Sequence, residues 1–206
     1  MSEYKVQYES VGLILGGRPQ EDVSEGYLRD LIEGTLGEKF RALTDDEKVK
    51  EMKEWKKKTI TVFRRMPNGQ LALGAVQLKA AMKEVSQIFG LKLKQQLQHG
   101  IWVTGVNVDG EEFLPLFRNG KPVMKPDGYK ENFIPPTFTN PKACIKVWER
   151  LNPGVTFEAT LQAKSPKLDE PALDKLTNLV DAIGSGRGQQ DGRIKRNEFK
   201  PVSTDQ

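Results

Sequence analysis

Residues 184–200, GSGRGQQDGRIKRNEFK, combine glycine and positive charge, the two ingredients of a phosphate-holding segment. Gly184, Gly186, Gly188 and Gly192 carry little bulk and make unusual backbone angles cheap. Arg187, Arg193, Lys195, Arg196 and Lys200 face only Asp191 and Glu198. Arg187 is placed to approach a phosphate from the loop, aided by N–H groups of the neighbouring glycines. If the segment that follows is a regular strand, Arg193 and Lys195 share one face while Ile194 and Arg196 share the other. The whole basic set therefore does not fit one strand face, and a glycine-rich turn feeding a solvated edge strand explains the same residues.

A second basic group, Arg118, Lys121, Lys125 and Lys130, lies among turn residues with Phe117, Tyr129 and Phe133 nearby. Cations of this kind neutralise phosphates while an exposed ring stacks on a base. The same rings could instead anchor a long loop. Lys56, Lys57 and Lys58 with Arg64 and Arg65 form a third group, which a charged helix end and a hairpin explain nearly as well.

Catalytic patterns are weak. Asp109, Glu111 and Glu112 surround a turn and could gather a divalent ion only if their oxygens converge. Asp45, Asp46 and Glu47 suit the start of a helix. His99 is the sole histidine and Cys144 the sole cysteine, so neither an intrachain disulfide nor a cysteine cluster is available. No Gly-x-x-x-x-Gly-Lys-Ser/Thr run is present, and Gly184–Gly188 follows a helix and precedes a strand, the reverse of a dinucleotide-binding turn. No nucleophile–base pair stands out, and no cofactor is expected. A metal-dependent nuclease working through Asp109 or Glu112 is a distant alternative.

The elements that must position these residues read as alternating strands and helices. Period two from Tyr4 to Leu15 predicts a first strand, stopped by Gly16, Gly17 and Pro19. A short helix follows from Ser24 to Glu33, and a capping box at Thr44 and Glu47 opens a helix reaching about Trp55. Lys58–Arg65 and Gln70–Leu73 form strands around the Asn68–Gly69 turn. Leu78, Met82, Val85 and Phe89 place a stripe on a helix from Ala75, with Gly90 at its end. Ile101–Val108 reads as one strand, followed by Glu112–Phe117 and Lys121–Met124. Phe133–Pro141 reads as a surface excursion, then Ala143–Leu151 and Gly154–Ala163 as strands. Leu173, Leu176, Val180 and Ile183 define a last helix with Pro171 in its first turn, and Arg193–Phe199 a closing strand. This order indicates an α+β fold with mainly antiparallel sheet.

Bulk properties bound the function. The chain has 206 residues, 37% hydrophobic and 29% charged, with a net charge of +4. That length supports one domain over 1–200, with insertions near 16–56 and 109–141 and a flexible tail at 201–206. A modest positive charge permits nucleic-acid binding without requiring it. The N-terminal residues lack a basic region followed by an apolar run, and no segment reaches membrane-spanning length, so a cytoplasmic location without membrane partners is expected.

The last helix followed by Gly184-Ser185-Gly186-Arg187-Gly188, with the strand Gly154-Val155-Thr156-Phe157 leading into residues 169–183, resembles the repeat-associated RNA-binding proteins of CRISPR systems. Gly69–Ser86, where a glycine-containing segment enters a helix, is similar to a second region of that family. The resemblance covers less than half the chain, and residues 16–56 and 109–141 would be insertions or mark a divergent phage or mobile-element branch. It implies a ferredoxin-like, RNA-recognition-type core that binds single-stranded RNA or DNA without sequence preference, as subunits side by side along the strand. It does not imply cleavage. The rival reading is a phage structural or assembly protein whose central loops hold a protein partner.

Overall fold

The computed structural model describes residues 2–16, 38–58, 61–134, 144–183 and 191–202, with backbone alone at 54–58, 131–134 and 144–147. The helix expected over 24–33 lies outside these residues.

Alternation builds the central sheet. Strand β1 (Ser2–Ser10) turns Tyr4, Val6, Tyr8 and Ser10 inward and leaves Lys5, Gln7 and Glu9 on the opposite face. Strand β2 (Ile14–Leu15) is separate, because Val11 and Gly12 both donate their N–H groups to the carbonyl of Arg193 and break the run expected through Leu15. After helices α1 (Glu38–Arg41) and α2 (Asp45–Lys58) come β3 (Arg64–Arg65) and β4 (Leu71–Gly74). The capping box is present: the Thr44 N–H and hydroxyl both donate to Glu47 Oε2, at 2.9 and 2.8 Å.

Helix α3 (Ala75–Ile88) buries Leu78, Ala81, Met82 and Val85, the i, i+3, i+4, i+7 spacing of one face. Each such Leu or Val contributes about 1.5–3 kcal/mol relative to exposure. A short helix, α4 (Lys94–His99), which the residue pattern did not predict, precedes β5 (Ile101–Thr104). The strand expected to run on to Val108 stops at Gly105. A Cβ there would stand 2.0 Å from the Phe113 carbonyl oxygen, so only glycine lets the chain leave one sheet for another.

Strands β6 (Val106–Val108) and β7 (Glu111–Pro115) then join β3 and β4 in the order β3-β4-β7-β6. The hairpin β8 (Phe117–Arg118) and β9 (Lys121–Pro122) returns to the central sheet. Strands β10 (Gly128–Ile134) and β11 (Cys144–Leu151) pair with β2 as a third sheet.

Strand β12 (Thr156–Ala163) buries Phe157, Ala159, Leu161 and Ala163. Helix α5 (Glu170–Leu179) follows, with the Asp169 carboxylate accepting from the Ala172 N–H at 3.0 Å. Its sequence stripe continues to Ile183, yet the helix ends at Val180, which takes an extended conformation. Val180 and Ile183 still reach the core from outside the helix. Strand β13 (Ile194–Pro201) closes the fold.

The four long-range partners β13, β1, β12 and β5 lie side by side in that order, all antiparallel. Counting only these strands in chain order gives 4-1-3-2, with α3 between the first two and α5 between the last two. The chain is an α+β protein with a ferredoxin-like core, elaborated between β1 and α3 and again between β5 and β12. No helix among the described residues is long and apolar enough to cross a membrane.

Candidate nucleic-acid interface

The face of the central sheet away from the buried side chains is polar. Lys5 pairs with Glu158 at 3.2 Å, Lys200 with Glu198 at 3.0 Å, and the Asn197 amide donates to Glu9 at 3.1 Å. Charge in the middle of that face is therefore largely compensated, and such exposed pairs contribute little to stability.

One end of the sheet is different. The β-ladder sets Lys195 opposite Glu9, Glu9 opposite Thr156, Thr156 opposite Phe117, and Phe117 opposite Pro122. These residues make a row across four strand spacings, about 19 Å wide. Paired residues share a face, so Lys195 and half-buried Phe117 stand on the open side.

The glycine-rich segment leaves and returns beside this row. The Ile183 N–H donates to the Gly192 carbonyl at 2.9 Å, and Ala182 bridges to Arg193. Gly192 has φ +77°, and its N–H donates to the Leu13 carbonyl. A Cβ at Gly192 would lie 2.1 Å from the Ile183 carbonyl oxygen, so the closed base of the loop requires glycine here. Gly184, Gly186, Arg187 and Gly188 lie outside the described residues.

The second basic group reaches the same end. Lys130 on β10 forms an ion pair with Asp191, a nearly buried acid at the loop base. Arg118 grips both oxygens of Asp127, at 2.8 and 2.6 Å, and donates to the Asn152 carbonyl at 3.2 Å. That guanidinium and the Asn152 N–H hold the Asp127 carboxyl below the usual carboxylate range, while Arg118 itself is raised by the same hydrogen bond. Gly154, two residues beyond Asn152, donates to the Ser10 carbonyl, and Ser10 faces Ile194. Segments 117–130 and 191–195, far apart in sequence, thus share one rim.

The candidate cations divide into two kinds. Arg118, Lys130 and Arg196 are anchors. Arg196 points to the helix side, where Nη1 lies 2.8 Å from Asp174 Oδ1 and 2.8 Å from Thr177 Oγ1, with the guanidinium over the Phe199 ring. Lys121, Lys125, Arg193 and Lys195 are exposed, and no described residue holds any of them in an ion pair. Tyr129, 56% exposed, stands beside Lys130. Phe133 is described only as backbone within β10.

The remaining groups serve the fold. Arg64 pairs with Glu111 and lies over the Phe113 ring, while Arg65 donates to nearly buried Glu149 at 2.6 Å. Glu112 accepts from the Gly105 N–H and the Asn107 amide, and Asp109 takes a positive φ in the turn. These acids point to different partners, and no group of three or more metal-ligating side chains converges among the described residues. The side chains of Lys56, Lys57 and Lys58 are outside the description. Trp102, which the sequence reading did not single out, is 40% exposed on the open face. Its position between inward-facing Ile101 and Val103 was the available signal.

Fold and rim together define a ferredoxin-like α+β chain with a cationic, loop-bearing sheet end. No protein-family model matches the chain, and no curated protein does. Among the solved structures similar to it at low identity are three. A chain from a type III-B Cmr-beta complex bound to cognate target RNA is 13% identical with a TM-score of 0.48, covering 98% of this chain and 61% of that one. A chain from a type IV-B CRISPR complex is 9% identical with a TM-score of 0.44, covering 99% and 92%. A CRISPR protein from Archaeoglobus fulgidus is 15% identical with a TM-score of 0.33, covering 98% and 62%. The chain thus spans about three fifths of the length of the first. With TM-scores below 0.5, the three bear on neither ligand nor site.

Proposed function

We propose that this chain binds single-stranded nucleic acid, RNA or DNA, at the loop end of its central sheet. The observation that carries this reading is that Lys130 of β10 meets Asp191 at the base of the glycine-rich segment, while Lys121, Lys125, Arg193 and Lys195 stay exposed and without an ion pair among the described residues, along a row about 19 Å wide. Two acids near that rim, Asp127 and Asp191, are paired with Arg118 and Lys130, and Glu9, opposite Lys195, accepts from the Asn197 amide; four exposed cations against that one carboxylate leave positive charge for phosphates. Lys and Arg contacts to phosphate hold a backbone without reading sequence, and Tyr129 offers a face on which any base stacks. Arg187 belongs to the same reading as the cation carried by the loop. Subunits placed side by side along one strand complete it.

The test is fluorescence anisotropy of labelled single-stranded RNA and DNA across a salt series, with nucleic-acid-free protein. Log affinity is expected to fall linearly with log salt, by about 0.7 in slope for each phosphate neutralised. The variant Lys121→Ala/Lys125→Ala/Arg193→Ala/Lys195→Ala is expected to flatten that slope and weaken binding to either polymer. Wild-type protein that fails to bind at low salt, or a variant that binds as wild type does, would overturn the proposal and bring protein-partner capture forward.

A further inference from the structure

On the third sheet, cross-strand pairing sets Gly128 opposite Arg150 and Lys130 opposite Trp148, so Arg150 and Lys130 share one face of β10 and β11. Lys130 reaches Asp191 at the loop base, and that face therefore borders the rim. Gly128 has no side chain to fill the space above its backbone, and the Arg150 guanidinium lies there. A Cβ at position 128 would stand 3.3 Å from Arg150 Nε and 3.6 Å from its Nη2. The Asp127 N–H donates to the Arg150 carbonyl at 2.9 Å, which brings the Arg118–Asp127 pair alongside.

The acids around Arg150 are already engaged. Arg118 takes both oxygens of Asp127, and Oδ2 also accepts from the Asn152 N–H at 2.7 Å. Asp191 holds Lys130, and Glu149, which alternation turns to the other face, holds Arg65. The Arg118 hydrogen bond does most to hold the Asp127 carboxyl below the usual carboxylate range, and Arg150 adds to this only through its charge. Arg150 makes no side-chain hydrogen bond or ion pair with any described residue. It is half-buried, and its Nε is shielded from solvent without an acceptor. Two guanidiniums thus meet one carboxylate, and the surplus charge sits on Arg150. A guanidinium that has lost part of its water and gained no counter-ion is costly, and an anion relieves that cost.

We infer that Arg150 holds a phosphate of the bound strand. This rests on the nucleic-acid reading above and adds to it a residue of another sheet, one that the sequence pattern did not single out. Because Nε is shielded, the contact falls to the two Nη groups, whose planar fork matches a pair of phosphate oxygens. The seat over Gly128 also restricts a long side chain before any ligand arrives, so less rotamer freedom is lost on binding. The third sheet thereby serves the strand directly as well as bracing the loop base.

Anisotropy of labelled single-stranded RNA and DNA across a salt series, with the whole chain, tests this. Arg150→Gln is expected to weaken binding by about tenfold and to lower the slope of log affinity against log salt by about 0.7, the loss of one phosphate contact. Arg150→Lys keeps the charge and is expected to keep the slope. A second readout uses isotope-labelled wild-type protein and so does not depend on the folding of a loss-of-charge variant. The Arg150 Nε–H NMR signal, assigned by its absence from Arg150→Lys, is expected to move saturably with an unlabelled oligonucleotide. Wild-type protein that binds no strand at low salt would overturn the reading on which the inference rests. A wild type that binds, with Arg150→Gln matching it in slope and affinity or with the Arg150 signal unmoved, would overturn this inference alone. Inorganic phosphate that moves the signal where the oligonucleotide does not would assign the residue to free phosphate and remove its role on the strand.

Discussion

Arg196 and Asp174 meet twice: the Arg196 guanidinium takes both the carboxylate and the main-chain carbonyl of Asp174, at 2.8 and 2.7 Å. A residue that reads as part of a basic stripe thereby becomes the tie between the last strand and helix α5. Arg196→Ala is expected to cost about 2–3 kcal/mol, because the Asp174 and Thr177 oxygens lose a charged donor. Neighbouring Lys195→Ala is expected to leave the urea midpoint unchanged while weakening nucleic-acid binding. Urea unfolding of the two variants side by side checks this, and equal stability losses would count against it.

Tyr8 sets an alkaline limit. Its ring stacks on Phe157 and its hydroxyl donates to the Thr177 carbonyl at 2.9 Å, and burial pushes the phenol well above the ordinary tyrosine range. In the unfolded chain the group ionises near the ordinary tyrosine value, at about pH 10. Stability from the protonated phenol is therefore complete below that pH and is lost as pH rises toward the folded-state value. The urea midpoint is expected to fall between about pH 9.5 and 11, and to fall less steeply in Tyr8→Phe. Parallel pH profiles of the two proteins would refute this.

Asp127 acts in the opposite direction. Arg118 and the Asn152 N–H lower its pKa in the folded chain, so the stability they confer is present above the ordinary carboxylate range. It is lost as pH falls below about 4 toward the folded-state value. Asp127→Asn is expected to be less stable at neutral pH by about 1–2 kcal/mol and to lose less on acidification than the parent. Thermal melts from pH 7 to 3 give both quantities.

At the loop base, Gly192→Ala combines a left-handed backbone with a contact no side chain tolerates, a Cβ 2.1 Å from the Ile183 carbonyl oxygen. A loss of more than about 2 kcal/mol is expected, together with weaker nucleic-acid binding as the rim shifts. Stability and anisotropy measured on the same sample decide; a neutral substitution would mean the loop base is not closed in solution.

Much of the fold was legible because local pattern and burial agree. The stripe Leu78, Met82, Val85 located α3, and Gly90 its end; alternation in Val155–Leu161 located β12. What escaped was change of partner. Alternation continues through Gly105, and only the nearness of the Phe113 carbonyl shows why the chain switches sheets there. Likewise the residues after Val180 keep an apolar spacing compatible with a helix, while Ala182 in fact bridges to Arg193.

The candidate site was legible as an inventory of cations but not as an arrangement. Arg118, Lys130 and Arg196 are each held by an acid in an ion pair, whereas no described residue holds Lys121, Arg193 or Lys195 in one, although Glu9 stands opposite Lys195. Those acids, Asp127, Asp191 and Asp174, are 9, 61 and 22 positions away. Tertiary contact, not composition, separates the anchors from the cations left to a ligand.

Both neighbours of β1 come from the far end of the chain, over residues 156–163 and 194–201. During synthesis, at about 5–20 residues per second, the first strand therefore waits roughly 8–30 s with both edges unpaired. The helix α3 and the hairpin β6–β7 have their partners long before then. The nascent chain must pass through a stage in which Tyr4, Val6 and Tyr8 have no sheet to join. Chaperone capture of ribosome-bound chains truncated before Thr156, and its release once Ala163 has cleared the exit, are the expected signs of that interval.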